Sequence, residues 1–441
     1  ARDRAGARGA RWCCALVLAA LLGACGATGP LESRHEPSGI PMRLWTDDDG
    51  ADRSFADYAA TASAAIASHH WMLSTRNDAS RDSTARLLSP REWPAAGRCS
   101  PERTAGVLLV HGLSDSPFLM RDLGDAIARD TRCVLVRSVL LPGHASRPGD
   151  LLRVTREDWI DAVRYGIESF AGSAGEVHLV GFSTGAAVSL HWTVNPDGRR
   201  LAVPVASLTM IAPAIRIVDL PGLPAVSMRL AYALSRTMGI GRWRELQEDI
   251  DFAKYESFPL NAGYQLFRLA EAIGDYDLSA VRVPVLVVMS EDDRTVDAKA
   301  AIALFRRLPT PSSAMLLVTR ACRSDTVDNA LRSRCEHGLL DVSNDPRIEF
   351  LPGILDGEEV LSFAHISFPS RPDNPHYGRH GDYASCLAYV DASARVGGAF
   401  PDKYCACITP AMLEALEARG RSCPASPARP GGEIRYGGTL E

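Results

Sequence analysis

The sequence predicts an α/β fold with a mostly parallel sheet covered by helices on both faces. Short apolar, β-rich runs recur past Cys99, helical stretches alternate with them, and 441 residues with 46% apolar side chains supply a large core. The strands expected are 106–110, 133–136, 176–180, 206–211, 283–289 and 315–318. Between them, Ser116 before Pro117 reads as an N-cap opening a helix through residue 127. Thr155-Arg156-Glu157-Asp158 opens another, with acids in its positive first turn.

Two segments interrupt the rhythm. Residues of about 213–280 exceed an ordinary connection and carry helical apolar spacing at Leu223, Val226, Leu230 and Leu234, as expected of a helical cap inserted above the sheet. Residues 321–356 hold Cys322 and Cys335 in polar sequence, and read as a surface loop closed by a disulfide between those two cysteines. Ahead of the alternating region, 54–98 reads as a helical extension, with an alanine-rich helix at 55–66 packed outside the main domain. The main domain spans 99–390, and 391–441 forms a cysteine-rich C-terminal extension.

The first residues read as an export signal. Arg2, Arg4, Arg8 and Arg11 precede an apolar run from Trp12 to Leu22, too short for a bilayer span. The run ends in Leu22-Gly23-Ala24-Cys25, which resembles the lipobox of bacterial lipoproteins. That resemblance implies a signal over 1–24, lipid on Cys25, and a tether through residue 53, its polar 26–45 stretch without apolar period. It also implies a protein anchored to a bacterial membrane and facing the periplasm or exterior. Gly26 stands where many inner-membrane lipoproteins carry Asp, which favours the outer membrane in a two-membrane cell. Setting aside Cys13, Cys14 and Cys25, eight of the 11 cysteines remain, an even number suited to disulfides in an oxidising compartment. A zinc site on Cys386, Cys405, Cys407 and Cys423 lacks the C-x-x-C spacing. The net charge of −5 and the scattered arginines argue against a nucleic-acid partner.

Chemistry centres on Gly181-Phe182-Ser183-Thr184-Gly185. The motif follows the apolar run Val177-His178-Leu179-Val180 and precedes the helical Ala186-Ala187-Val188-Ser189-Leu190, the strand-turn-helix setting of a nucleophile elbow. So tight a turn tolerates only small flanking residues, and it lifts the serine oxygen clear at a helix N-terminus that favours negative charge. Upstream, Val107-Leu108-Leu109-Val110 ends in His111-Gly112-Leu113-Ser114-Asp115-Ser116-Pro117, and a later turn reads Leu141-Pro142-Gly143-His144. With the elbow, these motifs resemble esterases and monoacylglycerol lipases of the α/β-hydrolase superfamily over about residues 100–390.

The resemblance implies an α/β-hydrolase fold and a serine nucleophile, Ser183, with the backbone N–H groups of Thr184 and Leu113 holding an oxyanion; it makes His111 and His144 structural. Chain order in that superfamily runs nucleophile, acid, histidine. The acid should leave the strand Val285-Leu286-Val287-Val288-Met289, and Ser290-Glu291-Asp292-Asp293-Arg294-Thr295-Val296 is similar to the family's Gly-x-x-Asp-x-x-Val turn, which selects Asp293. Asp292 is the alternative, because Ser290 replaces the usual Gly. Of His337, His365, His376 and His380, the histidines beyond Asp293, His365 follows an apolar run at 359–364, from which a loop can return over the sheet. Dinucleotide, P-loop and His-Glu-x-x-His patterns are absent, so neither metal nor organic cofactor is implied. The expected activity is hydrolysis of a small-molecule or lipid carboxylic ester through an acyl-enzyme, with the membrane reached through lipid. The alternatives are a thioesterase, peptidase or amidase on the same triad, or a catalytically silent binding lipoprotein.

Overall fold

The computed structural model describes residues 30–377 apart from 74–77, 98, 217–224, 239–240, 248, 250, 292, 294, 320–344, 353, 356–357, 360–364 and 372. The expected signal, Cys25, the Cys322 to Cys335 pairing, Asp292 and the cysteine-rich extension lie outside the described residues. The chain divides into two compact units, 1–370 and 371–441, and all that follows concerns the first.

Eight strands form one sheet: β1 (Arg91–Trp93), β2 (Ala105–Val110), β3 (Val134–Val139), β4 (Glu176–Phe182), β5 (Val205–Ile211), β6 (Val285–Ser290), β7 (Ala314–Thr319) and β8 (Ile348–Pro352), in the order β1-β3-β2-β4-β5-β6-β7-β8. Every pairing is parallel except that of β1 with β3. This is an α/β-hydrolase fold. The six expected strands fall on β2 to β7. Leu108, Leu109, Val110, Leu179 and Val287 are fully enclosed, because helices cover both faces and leave no side for a polar alternation.

Two strands escape the sequence pattern. The edge strand β1 has three residues, two of them charged. The last strand, β8, lies inside the stretch expected as a surface loop at 321–356; Pro352 at its end suits an edge position, where a missing N–H costs no ladder bond.

Helices α1 (Phe55–His69), α2 (Asp78–Leu88), α3 (Arg121–Asp130), α4 (Arg156–Glu168), α5 (Thr184–Val194), α6 (Ala225–Met238), α7 (Leu260–Gly274) and α8 (Ala298–Arg306) complete the frame. Thr155 caps α4 as expected: its hydroxyl accepts from the Asp158 N–H at 3.2 Å, and the Asp158 carboxylate accepts from the Thr155 N–H at 2.9 Å. Ser116 does not act as a side-chain cap. Its hydroxyl is buried and has no hydrogen-bond partner among the described residues, and Pro117–Met120 is a 3-10 turn ahead of α3. Helix α1 is docked on the body, with Phe55, Tyr58, Ala62 and Ile66 buried, and the Tyr58 hydroxyl donates to Leu140 O and accepts from Leu140 N.

The insertion expected as a cap is mixed in character. Helix α7 buries Leu260, Leu266, Leu269 and Ile273 and packs on α4 and α5, so it extends the helical layer itself. Helix α6 leaves Leu230 exposed. Residues 33–45, expected within a tether, also pack on the body: Arg34, His35, Ile40 and Trp45 are buried. Buried carboxylates from distant segments make this possible, a partnership that no local pattern encodes.

Cys99 and Cys133 are disulfide-bonded, tying the approach to β2 to the start of β3 across 34 residues. Closing a loop of that size restricts the unfolded chain, so Cys99→Ala should lower unfolding free energy by about 3–4 kcal/mol in neutral buffer without reductant. Urea titrations of wild type and variant check this; superimposable curves would contradict it.

Candidate active site

The parallel sheet carries its loops to one edge, and the carboxyl ends of β2, β4 and β6 supply the site. After Phe182, at the end of β4, the chain reverses at Ser183, whose backbone sits at φ 53° and ψ −116°, and enters α5 at Thr184. A non-glycine residue there is strained by about 1–3 kcal/mol and persists only where its surroundings enforce it. The surroundings are the two flanking glycines. A Cβ on Gly181 would lie 2.5 Å from Ala186 Cα, and one on Gly185 would lie 2.2 Å from Val110 O. Both positions therefore exclude any side chain, and the elbow is pressed against the end of β2.

Around Ser183 the structure assembles a relay. The His365 Nε2 lies 2.8 Å from Ser183 Oγ, and His365 Nδ1 lies 2.7 Å from Asp293 Oδ2. The other carboxylate oxygen of Asp293 accepts the N–H groups of Thr295 at 2.7 Å and Val296 at 3.0 Å, which fixes its orientation. A carboxylate only accepts, so the imidazole carries its proton on Nδ1 and presents a lone pair at Nε2 to the serine hydroxyl. All three residues are nearly enclosed, and the Phe182 ring packs against the imidazole at 4.9 Å between centroids. His365 opens a 3-10 turn; of the apolar run expected ahead of it, 360–364 lie outside the described residues, and Glu358–Glu359 pairs with Ile354–Leu355.

The expected oxyanion donors come from two elements, the start of α5 and the loop after β2. Thr184 N is in the first turn of α5, where no intrahelical acceptor exists. Leu113 N belongs to the loop after β2, and its orientation is set by His111. The Leu141 N–H donates to His111 Nε2 at 3.0 Å, so the ring proton is on Nδ1 and is donated to Gly112 O at 2.8 Å. In a planar trans peptide the N–H points opposite to the C=O, so this bond turns the Leu113 N–H away from His111. Among the described residues no hydrogen bond engages either amide. His111 is fully buried, and burial with His144 alongside holds its pKa well below the ordinary range; burial lowers His144 to about 4. Both are neutral framework groups, as the sequence implied.

Sequence reasoning missed Asp115. Its carboxyl is 4% exposed, packed over Gly112 so closely that a Cβ there would lie 2.7 Å from Asp115 Oδ2. Burial raises its pKa to about 6, opposed by Lys254 and His365 and reinforced by Asp251. Nothing in His111-Gly112-Leu113-Ser114-Asp115 marks a buried acid, because its enclosure comes from the Asp251 and Lys254 segment more than a hundred residues on. Among the described residues no cluster of His, Cys, Asp or Glu is arranged to hold a metal ion.

Comparison with known proteins agrees with this architecture. A model of the alpha/beta hydrolase family matches residues 107–326. The fold is that of an α/β-hydrolase. A thermostable monoacylglycerol lipase of Bacillus sp. (strain H-257) is 26% identical over 224 residues, 51% of this chain and 84% of that protein. Among solved structures, that described for the metagenome-derived lipolytic enzymes LipS and LipT is 20% identical and covers 52% of this chain and 86% of its own, with a TM-score of 0.42. The monoacylglycerol lipase of Paleococcus ferrophilus is 17% identical and covers 55% and 95%, with a TM-score of 0.40. Ser183 and Asp293 fall inside the family match; His365 and residues 30–106 fall outside it.

The buried acid generates a stability prediction. A carboxyl with a folded pKa near 6 and an ordinary value of 3.8 binds its proton more tightly in the folded state. Stability tied to that proton is therefore present below about pH 4 and lost as pH rises to about 6. Asp115→Asn should raise the urea midpoint at pH 7.5, by about 1–3 kcal/mol in unfolding free energy, and give no gain at pH 4. A variant less stable than wild type at pH 7.5 would contradict this account of Asp115.

Proposed function

We propose that this protein is a serine hydrolase that cleaves carboxylic esters through an acyl-enzyme. The observation that carries the reading is the hydrogen-bonded chain from Asp293 through His365 to Ser183, built on a strained turn at a helix N-terminus. Ser183 Oγ attacks the ester carbonyl carbon while His365 Nε2 takes the hydroxyl proton, and Asp293 stabilises the resulting imidazolium. The carbonyl oxygen becomes an oxyanion received by the Leu113 and Thr184 amides. Collapse breaks the bond to the alcohol, whose oxygen takes the proton back from His365. Water then repeats the sequence on the acyl-serine and releases the acid.

The substrate we propose is a lipid ester. The support is the likeness to a monoacylglycerol lipase over half of the chain. We also propose that the protein is exported and held to a bacterial membrane by lipid on Cys25, the outer membrane where there are two. The supports are the basic and apolar order of residues 2–22, the Leu22-Gly23-Ala24-Cys25 sequence, and a disulfide at Cys99 and Cys133 suited to an oxidising compartment.

Ser183→Ala should reduce hydrolysis of p-nitrophenyl esters by about six decades and abolish labelling by a fluorophosphonate, with circular dichroism unchanged. A folded variant that still turns over esters at the wild-type rate would overturn the assignment. For the anchor, two or three acyl chains hold a protein stably where one does so only reversibly. Wild type should sediment with membranes in high salt, and Cys25→Ser should become soluble while keeping its activity on soluble esters. Wild type found in the soluble fraction, with no acyl mass on its N-terminal peptide, would refute lipid attachment.

A further inference from the structure

Two buried carboxylates bolt the segment around residues 33–38 to the body. Arg34 Nε donates to Asp249 Oδ2 at 3.0 Å, and Arg34 Nη2 donates to Gln247 O at 2.9 Å. Arg34 is 5% exposed and Asp249 is fully enclosed. Four residues later, Asp150 accepts the N–H of Ser38 at 2.7 Å and its hydroxyl at 2.8 Å. The backbone of Glu36 runs so close to Gly149 that a Cβ there would lie 2.4 Å from it.

Asp249 does more than pair with Arg34. Its Oδ1 accepts the N–H groups of Glu256 at 2.8 Å and Ser257 at 2.7 Å, and its Oδ2 accepts the Ser257 hydroxyl at 2.6 Å. These bonds fix the backbone that carries Tyr255. The Tyr255 N–H donates to Ser114 O at 2.8 Å, and its buried hydroxyl accepts from Ser146 N at 2.7 Å and donates to Gly143 O at 3.1 Å. Ser114 sits at φ 67° immediately after Leu113. The oxyanion loop is thus held on both sides of Leu113 N: at Gly112 O by His111, and at Ser114 O by Tyr255.

We propose that the segment containing Arg34 and Ser38 is a clamp that positions the oxyanion loop, acting through Asp249 and Tyr255 on Ser114. Arg34 touches no reacting atom; it is a positioning residue. The segment with Arg34 and Ser38 lies ahead of residue 107, where the family match begins, while Asp249 and Tyr255 lie inside it. It rests on the reading of Leu113 N as an oxyanion donor. A loosened donor weakens binding of the tetrahedral state more than binding of the ester, so the loss should appear in kcat and leave KM nearly unchanged.

The test compares wild type, Arg34→Ala, Arg34→Lys and the double variant Arg34→Met with Asp249→Asn. The double variant leaves no uncompensated buried charge, and so keeps the question open if Arg34→Ala does not fold. Each folded variant is measured for kcat and KM on p-nitrophenyl acetate, for inhibition by a trifluoromethyl ketone that mimics the tetrahedral adduct, and for hydrogen exchange of peptides spanning residues 111–116. Arg34→Ala and the double variant should lose about 10- to 100-fold in kcat and a matching factor in ketone affinity, with KM within about threefold and faster exchange at 111–116. Arg34→Lys should recover part of each loss. Folded variants with wild-type kcat, ketone affinity and exchange would overturn the clamp. If wild type itself neither hydrolyses esters nor binds the ketone, the functional reading falls, while exchange at 111–116 still decides whether Arg34 holds the loop.

Discussion

Chain direction reverses at Ser183 within one residue, and the left-handed backbone it adopts is tolerable only because Gly181 and Gly185 bring no Cβ into spaces already filled by Ala186 and Val110. That reversal raises the hydroxyl above the end of β4 and directs the α5 N-terminus at it. It also presses the elbow against the end of β2, which sets the loop bearing Leu113 beside the serine. Parallel pairing brings the loop after β6, with Asp293, to the same edge of the sheet. The strain at one residue is thus offset by packing across three strands, and the geometry of the relay is a consequence of sheet order.

Legibility from the sequence followed how local each signal was. Strands β2 to β7 were readable because burial on both faces makes them continuous apolar runs. Ser183 was readable because a tight elbow demands small flanking residues at fixed spacing, and Asp293 because a strand end and a short turn define its register. The structure directs Asp293, with both backbone N–H groups of its turn bonded to the carboxylate, toward His365. The edge strand β1 was not readable, since three residues with two charges carry no period. Strand β8 was hidden inside a long polar stretch.

Polar burial was the least legible feature. Arg34 reads as a solvated residue in a polar segment, and Asp115 as a loop acid, until Asp249, Asp251 and Lys254 arrive from more than a hundred residues away. The same is true of Ser116: as a local N-cap candidate it was plausible, but in the fold its hydroxyl is buried and a 3-10 turn replaces the first helical turn. Through Asp249 and Tyr255, hydrogen bonds run from Arg34 in the N-terminal segment to Ser114 in the loop after β2.

The account turns on whether Ser183 becomes acylated. Rapid mixing of the protein with a p-nitrophenyl ester, followed by acid quench and peptide mass mapping, measures this directly. An early release of about one p-nitrophenol per protein, with the acyl mass on the peptide containing Ser183, is the result that the relay geometry predicts. Steady turnover with no acyl adduct, or an adduct on another residue, would contradict it.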